Sequence, residues 1–282
     1  MKKIGFIGLG NMGSRMSIHL IKAGHQVSGF DVNEELVDKL VFQGIKKANS
    51  ISDLSTDKDV IITMLPNGSI VEKVLNNVLN HVQDTTSIVD CSTIDVKTSQ
   101  KLHKLALNKK ISLFDAPVSG GTIGASNGTL TFMIGGDPKT YEEISPILSL
   151  MGSKLVFCGA SGSGQATKLC NNMLLATTMI GVSESFNMAK KLNLDLNVLY
   201  DVISTATGSC WAVNNYCPVP NIGPQSPADN NFLPGFSAKL MSKDLKLAVK
   251  AAQESNSNIS FGKKAEELFT KMAEGTRGDE DF

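Results

Sequence analysis

The sequence predicts an α/β fold, with a doubly wound parallel sheet in its N-terminal part and a second, all-helical domain joined through a long central helix. Two observations predict this arrangement. Short apolar runs alternate with amphipathic stretches as far as residue 157, and a long proline-free stretch follows a glycine-rich connector. Alternating strands and helices favour a parallel sheet covered by helices. We expect the first domain to span residues 1–162 and the second to span residues 163–282.

The predicted strands are short apolar runs, several of them continuous rather than alternating in polarity. Strands that are buried on both faces of a sheet have this pattern. Among the intervening segments, residues 96–108 place Leu102, Leu105 and Ala106 at helical spacing, with Asp95 as an N-cap. The predicted strands are KIGFI, QVSGF, DVIITML, TSIVDC, SLFDAP, LTFMIGG and KLVF.

The second part of the chain is predicted to be helical. Residues 166–192 contain no proline and predict one helix of about 40 Å, at about 1.5 Å per residue. Its apolar residues lie nearly all round the helix, which predicts burial at the centre of the second domain. The polar residues 275–282 are expected to fray. Further helices are predicted at 197–204, 238–253 and 262–273, with a long ordered loop or lid at 214–236.

Composition and charge exclude several classes of function. Lys plus Arg equals Asp plus Glu, at 27 each, so no bulk field attracts nucleic acid or an anionic membrane. The sequence contains no run of about 18 apolar residues, so we expect no membrane span. The five cysteines are scattered and the four histidines lie apart from them, so the sequence predicts no metal site. An anionic ligand must therefore be bound by local geometry.

A glycine pattern near the N-terminus marks the first candidate site. In IGFIGLGNMG, three glycines form G-x-G-x-x-G after a predicted strand and at the start of a predicted helix, 11–23. Such glycines let the backbone approach a pyrophosphate at a helix N-terminus, where free N–H groups favour negative charge. The alternative is a purely structural turn. The residues expected to bind the cofactor are Gly8, Gly10, Asn11, Met12 and Gly13.

An acidic residue in the right place strengthens that interpretation. Asp31 ends the second predicted strand, about 20 residues beyond the glycines, as the ribose-binding acid of a Rossmann domain does. A carboxylate there accepts hydrogen bonds from the ribose hydroxyls and repels a 2′-phosphate. The sequence therefore predicts a Rossmann domain that binds NAD in preference to NADP.

Other strands are followed by residues suited to a ligand. In this fold ligands lie across the carboxyl ends of the strands, where Leu65-Pro66 and Ser92-Thr93 follow two of the runs. The run SLFDAP is followed by Val118-Ser119-Gly120-Gly121. Adjacent glycines after a serine expose consecutive backbone N–H groups, which suit a carboxylate. On spacing alone, a carboxylate site and a plain turn remain equally open.

The segment GSGQATKLCNN carries the candidate catalytic pair. Lys168 and Asn172 share one face of the predicted long helix, and both are polar on an otherwise apolar helix. A lysine beside a buried wall can have its pKa lowered towards neutrality, which suits a general acid/base that exchanges a proton with a hydroxyl. The alternative is a surface lysine beside a polar neighbour. The preceding nucleotide domain favours catalysis.

Four motifs occur in order along the chain: GFIGLGNMG, DAPVSGG, GSGQATKLCNNM and LMSKDLKLA. Together they resemble the β-hydroxyacid dehydrogenases, over essentially the whole chain. The resemblance implies NAD-dependent oxidation of a β-hydroxy acid to its semialdehyde, with 3-hydroxyisobutyrate of valine breakdown as the expected substrate.

The resemblance also assigns roles to individual residues. It makes Lys168 the catalytic residue and Asn172 its partner near the substrate. It implies that Ser119, Gly120, Gly121, Phe236 and Asp244 bind the substrate and that Leu65, Pro66, Thr93 and Lys243 join the glycines and Asp31 around the cofactor.

Several alternatives stay open. The same lysine, serine and glycines occur in sister reductases acting on tartronate semialdehyde, glyoxylate or succinate semialdehyde, although Asp31 argues against an NADP-preferring enzyme. Two further alternatives are a dinucleotide-binding sensor without catalysis and an assembly protein that binds no NAD.

The resemblance implies partners and a compartment as well. The expected partners are a small hydroxy acid and further copies of the chain, in a homodimer or homotetramer. A eukaryotic protein would work in the mitochondrial matrix, with its transit peptide absent from this chain because the first strand begins at Lys3. A bacterial protein would be cytoplasmic.

Overall fold

The computed structural model describes residues 1–282, which form two compact units, Met1–Lys168 and Leu169–Phe282. The domain boundary expected after residue 162 stays a prediction. The strands are β1 (Lys3–Ile7), β2 (Gln26–Phe30), β3 (Lys46–Lys47), β4 (Val60–Thr63), β5 (Ser87–Asp90), β6 (Ser112–Asp115), β7 (Val118–Ser119), β8 (Leu130–Gly135) and β9 (Gly152–Gly159).

Helices alternate with these strands and then continue alone. Those of the first unit are α1 (Gly13–Lys22), α2 (Glu34–Val41), α3 (Ile51–Ser55), α4 (Gly68–Val78), α5 (Val96–Asn108), α6 (Gly121–Asn127) and α7 (Tyr141–Leu148). A long helix, α8 (Ser163–Lys191), leads into α9 (Leu196–Thr205), α10 (Trp211–Asn214), a short 3-10 helix (Pro227–Asn230), α11 (Ala238–Glu254) and α12 (Ser260–Glu274). The α/β class and the helical C-terminal region are confirmed.

The sheet has nine strands, and most of it is parallel. Strands β3, β2, β1, β4, β5 and β6 follow one another in this order, each parallel to its neighbours. Strand β8 runs antiparallel to β6 and β7 and pairs in parallel with β9. The expectation of a parallel sheet therefore fails at this side. Only β7 and the short α6 lie between β6 and β8 in the chain. Strand β7 pairs with the same edge of β8 as β6 does, so the chain reverses its direction at β8 instead of crossing over the sheet.

The core of the first unit lies on both faces of the sheet. Ile4 and Phe6 of β1 belong to one apolar cluster, and Ile7 of the same strand belongs to a second. Ile62 and Ile61 of β4 divide in the same way. Successive side chains of a strand point to opposite faces, so continuous apolar runs are what a sheet covered on both faces requires.

In the second unit, helix α8 shows a narrower buried face than its composition predicts. Met179, Val182 and Phe186 are buried. Leu174 and Met188 are 64% and 62% exposed. Burial all round the helix was therefore the wrong expectation, because apolar residues alone do not reveal which face the other helices of this chain cover. No helix of the chain combines the length and the apolar character needed to cross a membrane.

The last residues are held in place rather than frayed. Asp281 has 0% exposure. Its carboxylate accepts hydrogen bonds from the Tyr216 hydroxyl at 2.9 Å and from the backbone N–H groups of Gly235 and Phe236, both at 2.7 Å. This polar segment accepts hydrogen bonds from the backbone amides of the long loop, and these contacts hold it in place despite its polarity.

Candidate functional site

The glycine turn joins β1 to α1, and packing explains two of its three glycines. Gly8 has a φ of 92°, and a Cβ there would lie 2.2 Å from the Met64 carbonyl oxygen. A Cβ at Gly13 would lie 1.9 Å from the Gly8 carbonyl oxygen. At Gly10, by contrast, a Cβ would meet nothing within 4 Å. The turn therefore leaves open space above Gly10, where a ligand can approach the backbone.

The start of α1 suits an anion. Met12 occupies the N-cap position without a side-chain hydrogen bond, and the first turn contains no acidic residue. The exposed Asn11 and half-buried Met12 lie in this turn. Uncapped N–H groups at a helix N-terminus favour a phosphate. These residues fit the pyrophosphate of a dinucleotide.

Asp31 is fixed beside the same turn. One carboxylate oxygen accepts a hydrogen bond from the Leu9 backbone N–H at 2.7 Å, and the other accepts from the Asn33 N–H at 2.9 Å. The side chain is half-buried. Each carboxylate oxygen can accept a further hydrogen bond, so Asp31 can still bind ribose hydroxyls.

The ends of β4 and β5 are linked to each other. Leu65 donates its backbone N–H to the hydroxyl of the buried Ser92 at 2.8 Å. Thr93, the next residue, is half-buried, and Pro66 is exposed. The structure thus brings together two of the strand ends predicted to contact the cofactor. The link is Ser92, which the sequence placed at a strand end but which was not among the predicted cofactor residues.

The Ser119-Gly120-Gly121 segment makes a sharp turn between β7 and α6. Gly120 and Gly121 have φ values of 128° and 59°. Both values lie in the region that favours glycine. The half-buried Ser119 and exposed Gly120 leave the turn accessible. Its geometry is compatible with the expected carboxylate site and with a plain turn.

Lys168 is buried, with 7% exposure. It lies on α8, whose first turn is anchored by Asp115 at the end of β6. The Asp115 carboxylate accepts hydrogen bonds from the N–H groups of Gly162 at 2.7 Å and Gln165 at 2.8 Å. Sequence reasoning missed Asp115 and Gln165, although an acidic residue ending a buried strand and a glutamine within the lysine motif were both visible.

Several predicted residues lie together in the second unit. Asn172 and Asp244 have 1% and 4% exposure, and the Asn172 amide donates to the Asp244 carboxylate at 2.7 Å. The Asn172 side-chain oxygen accepts from the Asn171 amide at 3.0 Å. Lys243 places its Nζ 3.7 Å from the other Asp244 oxygen. The asparagine is therefore held in one orientation.

Phe236 belongs to the long loop of the second unit. It is half-buried, and its ring centroid lies 5.7 Å from that of Phe282. Asp281, which accepts from the Phe236 N–H, holds this part of the loop. No sequence signal pointed to this aspartate, because its partners are distant in the chain.

Asp90 is the most perturbed carboxyl group near the strand ends. Burial raises its pKa from 3.8 to about 6, against the opposing effect of hydrogen bonds from Ser92 and Thr63. The adjacent Cys91 is also buried, and burial raises the pKa of its thiol, which makes it a poor nucleophile. No group of three or more metal-ligating side chains occurs in the chain.

Known proteins match the whole chain. Residues 3–159 match a family model described as the NAD binding domain of 6-phosphogluconate dehydrogenase. Residues 162–282 match one described as NAD-binding of NADP-dependent 3-hydroxyisobutyrate dehydrogenase.

Individual relatives are similar from end to end. A probable 3-hydroxyisobutyrate dehydrogenase of Mycobacterium tuberculosis is 44% identical, over 100% of this chain and 96% of its own. An NAD-dependent L-serine dehydrogenase of Pseudomonas aeruginosa is 39% identical, again over 100% and 96%. A solved structure of the M. tuberculosis 3-hydroxyisobutyrate dehydrogenase with L-serine has a TM-score of 0.96 at 43% identity, covering 100% of this chain and 96% of that one.

Proposed function

The chain belongs to the β-hydroxyacid dehydrogenase family, and on that basis we propose that it oxidises 3-hydroxyisobutyrate to methylmalonate semialdehyde with NAD. The observation that carries the proposal is the pair Lys168 and Asn172, both buried and one turn apart on α8, immediately after a dinucleotide-binding fold. Relatives named 3-hydroxyisobutyrate dehydrogenase support the choice of substrate.

NAD fits the first unit. The open space above Gly10 and the uncapped start of α1 would hold its pyrophosphate, and Asp31 would hold a ribose. Leu65, Pro66 and Thr93 would hold the nicotinamide ribose, and the family resemblance assigns Lys243 to the cofactor as well. When bound, NAD supplies the hydride acceptor of the reaction. The matching family models name both NAD and NADP, and the negative charge of Asp31 favours NAD because it repels a 2′-phosphate.

Groups of the protein itself bind the substrate and move its proton. Ser119, Gly120 and Gly121 bind the substrate carboxylate, with the N–H groups of the two glycines as donors. The Lys168 amine accepts the proton of the substrate hydroxyl as general base, and returns it as general acid in the reverse direction. Asn172, whose orientation Asp244 fixes, holds the substrate against the lysine. Correct placement of these groups lowers the barrier by holding the reacting atoms in line.

L-Serine is a second candidate substrate. A relative named NAD-dependent L-serine dehydrogenase is 39% identical to this chain, and a similar solved structure is described with L-serine. Serine shares the carboxylate and the primary hydroxyl of 3-hydroxyisobutyrate and differs in its amino group. The same binding residues would therefore accept both.

The proposed reaction implies a cellular setting. We assign the enzyme to branched-chain amino acid catabolism, in the mitochondrial matrix of a eukaryote or the cytoplasm of a bacterium. We propose a homodimer or homotetramer as its working form, which the exposed apolar residues Leu174, Val198 and Val202 of the second unit favour.

The first test measures Lys168→Ala. Turnover is expected to fall on the order of 10²- to 10⁴-fold, because the variant loses its general acid/base. NADH binding, followed by fluorescence titration, is expected to remain. The parent enzyme and the variant are assayed with 3-hydroxyisobutyrate, 3-hydroxypropionate, L-serine and glycerate, and the substrates are compared by their kcat/KM values.

The matched control is Lys190→Ala, an exposed lysine of the same helix, which should behave as the parent enzyme. Turnover of Lys168→Ala within threefold of the parent value would refute the role of the lysine. Higher kcat/KM for L-serine than for 3-hydroxyisobutyrate would select the second candidate.

A further inference from the structure

Gln165 is a buried polar residue of α8 that has no place in the mechanism above. It has 0% exposure and lies one helical turn before Lys168. Its side-chain oxygen accepts a hydrogen bond from the Ile94 backbone N–H at 3.0 Å, and its side-chain nitrogen donates to the Ser92 carbonyl at 2.7 Å. Ser92 and Ile94 flank Thr93, so this one amide holds the backbone on both sides of a proposed cofactor contact.

The loop held by Gln165 is tied to the neighbouring strand end. The Ser92 hydroxyl accepts from the Leu65 N–H at 2.8 Å. The Ser92 N–H and the Thr63 hydroxyl both donate to one oxygen of Asp90, at 3.1 and 2.7 Å. A displacement at Ser92 would therefore reach Leu65 as well as Thr93.

The helix side of the link is fixed independently. Asp115 accepts from the N–H groups of Gly162 and Gln165. A Cβ at Gly164 would lie 2.3 Å from the Met133 carbonyl oxygen and 2.8 Å from an Asp115 carboxylate oxygen. The first turn of α8 therefore packs closely against β6 and β8, and Asp115 holds the backbone of Gln165.

We propose that Gln165 is a positioning residue that sets the distance between the cofactor loop at Leu65 and Thr93 and the amine of Lys168. The inference rests on the proposed function for the role of Lys168. Glutamine can bridge the Ile94 N–H and the Ser92 carbonyl because its side chain carries both an acceptor and a donor and is long enough to reach both backbone groups. Buried polar groups left without partners are costly, so a replacement must satisfy both groups or the loop moves.

Two variants separate positioning from general stability. Gln165→Leu removes both hydrogen bonds. Gln165→Glu keeps the acceptor for the Ile94 N–H, but it can donate to the Ser92 carbonyl only while the carboxyl group is protonated. Gln43→Glu, at an exposed glutamine, is the matched control.

The primary readouts are NADH binding by fluorescence titration and kcat with saturating substrate. NADH affinity is expected to fall about tenfold in Gln165→Leu, because the Leu65 and Thr93 backbone is released. Turnover is expected to fall on the order of 10- to 100-fold in the same variant, because small displacements of the reacting groups cause losses of this size. The Gln43→Glu control should match the parent in both.

The pH profile provides a readout that a purely structural role would not change. The ratio of Gln165→Glu turnover to parent turnover should rise at least fivefold from about pH 9 to pH 6, as protonation restores the missing donor. The same ratio for Gln165→Leu should stay flat. The titratable groups around this position are Asp115, His103, Asp90 and Lys168. All are present in every variant, and the Gln165→Leu ratio is the reference for any pH effect that comes from them.

Three results would overturn the inference. The first is NADH affinity and turnover of Gln165→Leu within threefold of the parent. The second is a loss of NADH affinity and turnover that is fully explained by the fall in melting temperature. The third is a ratio of Gln165→Glu turnover to parent turnover that does not change with pH. Failure of the proposed function has a different signature, since the parent enzyme would then oxidise none of the panel while the effect of Gln165 on NADH binding would persist.

Discussion

Asp31 has a structural role in the fold, and the proposed function gives it a recognition role as well. Its two oxygens accept hydrogen bonds from the backbone of Leu9, in the glycine turn, and of Asn33, at the start of α2. These contacts keep the negative charge beside the turn. A ribose can use the remaining lone pairs, whereas a 2′-phosphate meets an unfavourable charge.

Asp31→Asn should change the cofactor preference. The variant keeps the side-chain length but removes the charge, so the ratio of kcat/KM with NAD to that with NADP should fall at least tenfold. Steady-state kinetics with both cofactors measures the ratio. Asp84→Asn, at an exposed position, serves as control. An unchanged ratio in Asp31→Asn would show that other residues select the cofactor.

At the scale of elements, the turn between β1 and α1 contains two glycines that packing requires and a third, Gly10, that packing does not require. Gly8 and Gly13 lie against backbone atoms, while the position above Gly10 is open. All three have the same spacing signal in the sequence. The difference lies in what surrounds each of them.

Gly10→Ala and Gly8→Ala should therefore fail in different ways. Gly10→Ala should keep a melting temperature within about 2 °C of the parent and weaken NADH binding at least tenfold, because the methyl group occupies the approach to the backbone. Gly8→Ala should have a much lower melting temperature than the parent, since its Cβ would clash with Met64 and its φ is positive. Calorimetry with NADH titration measures both. Normal NADH binding by Gly10→Ala would contradict the proposed position of the dinucleotide.

Helix and strand boundaries differ in how well local sequence predicts them. Helix α5 coincides with its predicted span because Asp95 caps it, accepting from the Thr98 N–H at 3.1 Å. The direction of β8 was wrongly predicted as parallel, since an apolar strand has the same pattern in either orientation. The two-residue β3 and β7 were also missed, because such short segments carry no periodicity.

At the scale of the whole molecule, burial of Asp90 couples the stability of the fold to pH. Its pKa is raised to about 6 in the folded protein, from 3.8, so the folded state holds the proton to higher pH than the unfolded chain. The contribution of Asp90 to stability is complete below about pH 3.8 and is lost as the pH rises through 6. The carboxylate therefore reduces stability at neutral pH.

Asp90→Asn removes this titration and keeps an oxygen that can accept from Thr63 and Ser92. The free energy of unfolding of the variant should rise relative to the parent by about 2 kcal/mol between pH 4.5 and pH 7. Urea denaturation at both pH values measures the difference. A difference that does not change with pH would mean that Asp90 titrates as it does in the unfolded chain.

The sequence by itself determined the α/β class, the glycine turn, the position of Asp31 and the placement of Lys168 and Asn172 on one face of a helix. These properties depend on spacing and periodicity over a few turns of chain. Only the tertiary structure decided that Gln165 bridges Ser92 and Ile94, that Asp244 holds Asn172, that β8 runs antiparallel, and which face of α8 is buried. Each of these depends on which distant segments meet, because a hydrogen bond or a buried face requires a partner that local sequence does not specify.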